Sequence, residues 1–153
     1  MPTLEHRIPP LVVAAVVAAG MWGASGLGPQ LRLGPGPANW AVAVLVAAGV
    51  VFVLLGVRAF RASRTTVNPL EPGRATALVT GGVYRVTRNP MYVGMALLLT
   101  AWAIRLAAVL PFVGVVVFVL FMTRFQILPE ERVLTRIFGD QYSTYAARVR
   151  RWL

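Results

Sequence analysis

The sequence predicts an all-α membrane protein, a polytopic helical bundle of about four spans whose last two form a hairpin, ending in a cytoplasmic helical tail. Three observations lead there. Hydrophobic residues make up 58% of the 153 residues and charged residues 13%, where a soluble domain carries about 25% charge. The mean hydropathy is +0.70. The charges also cluster, leaving four long charge-free runs. A chain of this length reads as one membrane domain, 1–153.

The spans follow from the runs. A bilayer crossing needs about 20 apolar residues, because each helical residue rises about 1.5 Å across a core of about 30 Å. No charge interrupts Ile8–Leu31 or Leu33–Val57. Spans are expected at 8–26 and 38–57, with the Gly- and Pro-rich stretch Gly28–Pro37 as the turn between them. The first run is long for a signal peptide, and more spans follow it. Asn89–Ile104 and Leu106–Thr123 are shorter runs separated by Arg105. They are expected as spans 90–104 and 107–128, a hairpin with Arg105 snorkelling at its tip. Pro111 belongs in the first turns of the fourth helix.

Orientation comes from arginine. All fifteen basic residues are Arg. Six lie in Arg58–Arg88 and six from Arg124 onward, against Arg32 and Arg105 on the other side. The positive-inside asymmetry places both termini and the 58–88 loop in the cytoplasm of an inner or plasma membrane. Arginines set between apolar runs argue against nucleic acid as a partner. There is no Cys, so no disulfide or catalytic thiol, and the single His6 is a solvated terminal residue. No zinc or haem site is expected.

The remaining elements are local. Asn68 and Glu71 read as turn residues. Pro129 fits the first position of a new helix, with Glu130 and Glu131 in its first turn and Gly139 as its stop. Val149, Trp152 and Leu153 read as membrane-surface anchors, and Trp22, Trp40 and Trp102 as interfacial anchors. Gly20, Gly23 and Gly56 read as helix-packing contacts.

Chemistry concentrates in two stretches. Gly82-Val83-Tyr84-Arg85-Val86-Thr87-Arg88-Asn89-Pro90-Met91-Tyr92-Val93-Gly94 opens the third apolar helix. Glu130-Glu131-x-x-Leu134-x-x-x-Phe138-Gly139-x-x-Tyr142-x-x-Tyr145 follows the fourth. A hairpin between them returns both to one interface. Arg88 can hold a carboxylate bidentately. Glu130 or Glu131 can pair with an ammonium or accept hydroxyl donors. Tyr84, Tyr92, Tyr142 and Tyr145 offer ring faces to a cation or a base. Asn89 can donate and accept, and Gly94 lets a backbone or ligand approach closely. A small four-helix transporter fits less well, because the spans hold no buried ionisable coupling residue.

Together, in order and flanking a hairpin, the two stretches resemble the isoprenylcysteine carboxyl methyltransferase and phospholipid methyltransferase superfamily, over about residues 65–153. The resemblance implies an S-adenosylmethionine site made of Tyr84, Arg88, Asn89, Pro90, Tyr92, Gly94, Glu130, Glu131, Leu134, Tyr142 and Tyr145. Arg88 and Glu131 are its expected catalytic pair. It also implies a hydrophobic, prenyl- or phospholipid-like substrate reached from the bilayer. Isoprenylcysteine enzymes commonly carry Arg-His-Pro where this chain reads Arg88-Asn89-Pro90, and Asn-Pro-Met-Tyr is similar to the phospholipid N-methyltransferases. Carboxylate O-methylation is the first expectation and amine N-methylation the alternative.

Overall fold

The computed structural model describes residues 8–62 and 77–153. The readings of His6, Asn68 and Glu71 lie outside them. The described residues form α1 (Pro10–Ala24), α2 (Pro35–Ala62), α3 (Pro90–Leu106), α4 (Pro111–Met122), α5 (Leu128–Phe138) and α6 (Asp140–Arg148), with no strand among them.

Helix lengths depart from the expectation. α2 has 28 residues, about 42 Å at 1.5 Å each, and the continuous helical stretch Pro111–Phe138 has the same number. Both are long and apolar enough to cross a bilayer. α1 has 15 residues and α3 has 17, each short of about 20. Among the described residues two helices, not four, reach full spanning length. The expected 8–26 contracts because the chain leaves the helix at Ser25, whose hydroxyl donates to the Trp22 carbonyl at 2.6 Å. The expected 38–57 extends at both ends. Pro35 and Pro37, read as turn residues, lie in the first helical turn, where a missing N–H costs no bond.

Pro129 begins no separate helix. A proline cannot donate to the carbonyl four residues back, and its ring crowds that carbonyl. The backbone widens ahead of it into a π-helical turn, Thr123–Ile127, with the Leu128 N–H reaching the Thr123 carbonyl. α4 therefore runs into α5 without a break. Gly139 does end α5, with φ +51° and ψ −123°, a conformation that favours glycine.

The two connections at the far end are joined. The Leu31 N–H donates to the Ala107 carbonyl at 2.7 Å, and the Val109 N–H to the Pro29 carbonyl at 3.0 Å. Arg32 and Arg105 thereby come to one end of the bundle. The core joins α1, α3 and α4 through Val13, Met21, Tyr92, Leu99, Ala103, Phe118 and Met122, with Ile127 of the π turn. α2 lies against α3 at glycines. A Cβ on Gly94 would sit 2.6 Å from the Gly49 carbonyl oxygen, and one on Gly56 would sit 2.8 Å from the Met91 side chain. Gly56 is a packing contact as expected. Gly20 and Gly23 are not, since a Cβ on either meets nothing within 4 Å.

The outer faces are apolar. Trp40 is 75% exposed, Leu54 62% and Leu120 63%. Apolar exposure on this scale has no stable place in water. The molecule is a membrane protein.

Candidate functional site

The site is built where the start of α3 meets α5, α6 and the tail. Asn89 precedes α3, and Pro90 takes its first turn. Ahead of them, Gly82–Arg85 forms a short 3-10 turn that buries Tyr84. The Tyr84 ring meets Phe60 of α2 edge-on at 5.4 Å between centroids. Tyr92, one turn into α3, is 4% exposed, and its hydroxyl donates to Glu130 Oε1 at 2.6 Å. Among the described residues no cation pairs with Glu130.

Glu131 is held from two sides. Arg88 Nη2 lies 3.1 Å from its Oε1. Arg151 grips it bidentately, Nε to Oε1 at 2.9 Å and Nη2 to Oε2 at 2.7 Å. The side chains of Arg88 and Glu131 are 12% and 16% exposed, so this is a largely dehydrated pair. Pairing with Glu131 raises the Arg151 pKa. Arg88 Nη1 also donates to the Tyr142 hydroxyl at 3.4 Å. Its Nε is buried with no hydrogen-bond partner among the described residues.

α6 completes the cluster. Tyr142 and Tyr145 meet edge-on at 6.3 Å between centroids. The Tyr145 hydroxyl donates to the Tyr84 carbonyl at 2.7 Å, tying α6 to the 3-10 turn. Burial, and then the nearby Glu131 charge, push Tyr142 up to about 12. Burial first and Tyr142 second push Tyr145 up, and burial does the same to Tyr84. These hydroxyls therefore remain protonated near neutral pH and keep their donor protons.

The structure thus brings together Tyr84, Arg88, Asn89, Tyr92, Glu130, Glu131, Tyr142 and Tyr145. Pro90 is buried as the first residue of α3. Leu134 is half-buried on α5. Gly94 stands apart, with its open side filled by Gly49 and Val53 of α2. The close approach it permits is that of a backbone.

Sequence reasoning missed the tail's part. The Arg150 carbonyl accepts the Arg88 N–H at 3.0 Å. The Arg151 carbonyl accepts Asn89 Nδ2 at 2.9 Å and the hydroxyl of fully buried Thr87 at 3.2 Å. Trp152, expected as a surface anchor, turns inward onto the core, and its indole N–H donates to Thr123 Oγ1 at 3.1 Å. Trp102 likewise donates to the Ala18 carbonyl at 3.1 Å and joins α3 to α1. Leu153 stays exposed. Deleting Arg150–Leu153 is expected to lower the thermal midpoint in detergent by several degrees, as loss of about 1–2 kcal/mol should. An unchanged midpoint would show that the tail is not holding the Arg-Asn-Pro stretch.

A model of the family described as phospholipid methyltransferase matches residues 38–141. This chain belongs to the phospholipid methyltransferase family. The matched stretch runs from α2 to the first turn of α6. It contains Arg88, Asn89, Tyr92, Glu130 and Glu131, and it stops before Tyr142, Tyr145 and Arg151. The chain is also similar to an uncharacterised protein of Haemophilus influenzae, 44% identical over 63 residues, which are 41% of this chain and 100% of that one. Family membership, the apolar helices and the exposed apolar faces agree on a membrane methyltransferase. Beside α6 lies an open cleft of about 690 Å³, lined by Thr80, Arg85, Asp140, Thr144, Tyr145 and Arg148 among others. Arg85 faces this cleft and is outside the Arg88 cluster.

Proposed function

We propose that the chain transfers the methyl group of S-adenosylmethionine to a hydrophobic or lipid-like acceptor. One observation carries the reading. The Tyr92–Glu130 and Arg88–Glu131 contacts join stretches from either end of the α3–α4 pair in one half-buried cluster. In this reading the bundle has four membrane-embedded helices. The α3–α4 hairpin dips between the leaflets, and both site stretches and the termini lie on the cytoplasmic side of an inner or plasma membrane.

The residues present fit the cofactor. Arg88 Nε is a buried donor with open capacity, suited to a carboxylate. Glu131, fixed by two guanidiniums, keeps a lone pair on Oε2 for an ammonium or a ribose hydroxyl. The four tyrosine rings suit a sulfonium or adenine face. When bound, the cofactor supplies an activated methyl carbon open to in-line displacement. The protein then orients: ideal placement of two reactants is worth about 7–11 kcal/mol.

The acceptor's chemistry divides on Glu130. Among the described residues it is the carboxyl of the cluster that no arginine holds, and so it can take a proton. An amine acceptor must lose a proton before or as it attacks. Amine N-methylation with Glu130 as base is therefore the first reading. Carboxylate O-methylation, the first expectation from the motifs, is the second. It needs no base, because a carboxylate is ionised at pH 7. Glu130→Gln separates the two. With labelled cofactor, transfer to phosphatidylethanolamine is expected to fall about 100-fold or more, the usual worth of a positioned base. Transfer to a prenylcysteine carboxylate should persist. Retained amine turnover would eliminate the base role. Absence of saturable S-adenosylhomocysteine binding by the unmodified protein would remove the methyltransferase reading itself.

A further inference from the structure

Gln126 lies in the π-helical turn Thr123–Ile127 and is 0% exposed. Its Nε2 donates to the Ile8 carbonyl at 2.7 Å. A carbonyl there demands a donor, which fixes which way the amide faces. The opposite atom, Oε1, is buried and has no hydrogen-bond partner among the described residues. A buried, unmet carbonyl is a standing cost that an apolar side chain of the same shape would avoid.

Its position along the helix relates it to Glu130. Gln126 stands one helical turn before Glu130, so the two side chains leave the helix on about the same side. Its neighbour Ile127 packs in the cluster that contains Tyr92, the hydroxyl partner of Glu130. Along the helix Gln126 is the polar residue next before Glu130, and unlike Arg124 in the same turn it is fully buried. Polar side chains within a span are costly and mark functional positions. Single π turns inside α-helices also concentrate at such positions.

We propose that Gln126 is a specificity-determining residue that reads the methyl acceptor. Its Oε1 accepts a hydrogen bond from an N–H or O–H of the acceptor's headgroup and holds the attacking atom beside Glu130. The inference rests on the methyltransferase reading above. The polar cofactor fits the Arg88–Glu131 end, and the acceptor reaches Gln126 from the apolar side. An amine or hydroxyl satisfies the carbonyl. A carboxylate offers no donor and sets oxygen against oxygen.

The test uses the full chain in detergent micelles, with phosphatidylethanolamine as the donor-bearing probe and a prenylcysteine carboxylate as the donor-free one. Gln126→Leu is expected to raise the KM for phosphatidylethanolamine at least tenfold. S-adenosylhomocysteine affinity should stay within twofold, and the KM for the carboxylate probe should be unchanged or lower. Should the Leu variant fail to fold, Gln126→Met, which keeps the chain length, carries the same expectation. Thr123→Val removes the Trp152 bond in the same turn and controls for local destabilisation. It should lower the thermal midpoint and leave the ratio of the two KM values unchanged. The inference is overturned if the Gln126 variants behave as Thr123→Val does, or if both probes lose equally. Turnover of the carboxylate probe alone by the unmodified protein would also overturn it. If the unmodified protein binds no S-adenosylhomocysteine, the underlying reading fails first, a result distinct from these.

Discussion

Arg88→Ala is expected to abolish measurable methyl transfer and to weaken S-adenosylhomocysteine binding about 100-fold. Arg88 meets Glu131 at 3.1 Å and the Tyr142 hydroxyl at 3.4 Å, and its backbone N–H holds the tail through the Arg150 carbonyl. Removing a buried, charge-assisted donor from a bound carboxylate costs about 2–5 kcal/mol of binding, because the ligand charge is left unpaired. Here Arg151 still faces Glu131, so Glu131 is not left uncompensated as well, and about 3 kcal/mol is roughly two decades of affinity. Arg88→Lys should recover little, since an ammonium cannot replace a planar fork serving two partners. Isothermal titration with S-adenosylhomocysteine reads the effect, and the thermal midpoint separates it from unfolding. Full binding by a folded Arg88→Ala protein would place the cofactor elsewhere.

Gly94→Ala is expected to be the most damaging small substitution in the bundle. The new Cβ would lie 2.6 Å from the Gly49 carbonyl oxygen, 2.6 Å from Val53 Cγ2 and 3.2 Å from the Val53 nitrogen. A rotamer change can clear the valine methyl. It cannot clear backbone, so α2 and α3 must separate. Overpacking costs about 1–3 kcal/mol, and a backbone clash belongs at the upper end. Gly20→Ala and Gly23→Ala, where nothing lies within 4 Å, should be neutral or gain about 0.5–1 kcal/mol from better helix propensity. Thermal unfolding in detergent ranks the three. A Gly94→Ala protein as stable as Gly20→Ala would contradict the α2–α3 contact.

What the sequence made legible was mostly chemical grouping. The paired acids, the Arg-Asn-Pro stretch and the tyrosines carry residue types that are costly to bury singly, so their convergence could be read before any coordinates. Helix ends were less legible. A charge-free run bounds a helix from outside only, and Gly26–Leu31 is uncharged yet leaves the helix. Proline misled in the opposite direction: Pro35, read as a turn residue, opens α2, and Pro129, read as a helix start, lies inside a continuing helix. The small-residue pattern could not say which glycine faces a neighbour: Gly20, read as a packing contact, meets nothing within 4 Å, and Gly94, read as a site residue, meets α2. The tail's hold on Asn89 and Thr87 passes through the backbone carbonyls of Arg150 and Arg151, which leave no side-chain signature. The division between Glu131, held by arginines, and Glu130, held by a tyrosine, needed the fold.

The most direct measurement is a structure of the protein with S-adenosylhomocysteine bound. The expected result is ligand density enclosed by Arg88, Tyr92, Glu130, Glu131 and Tyr142, with a carboxylate at Arg88 Nε. Ligand seated only in the cleft of Thr80, Arg85 and Arg148, with the Arg88–Glu131 cluster unchanged and closed, would contradict the account.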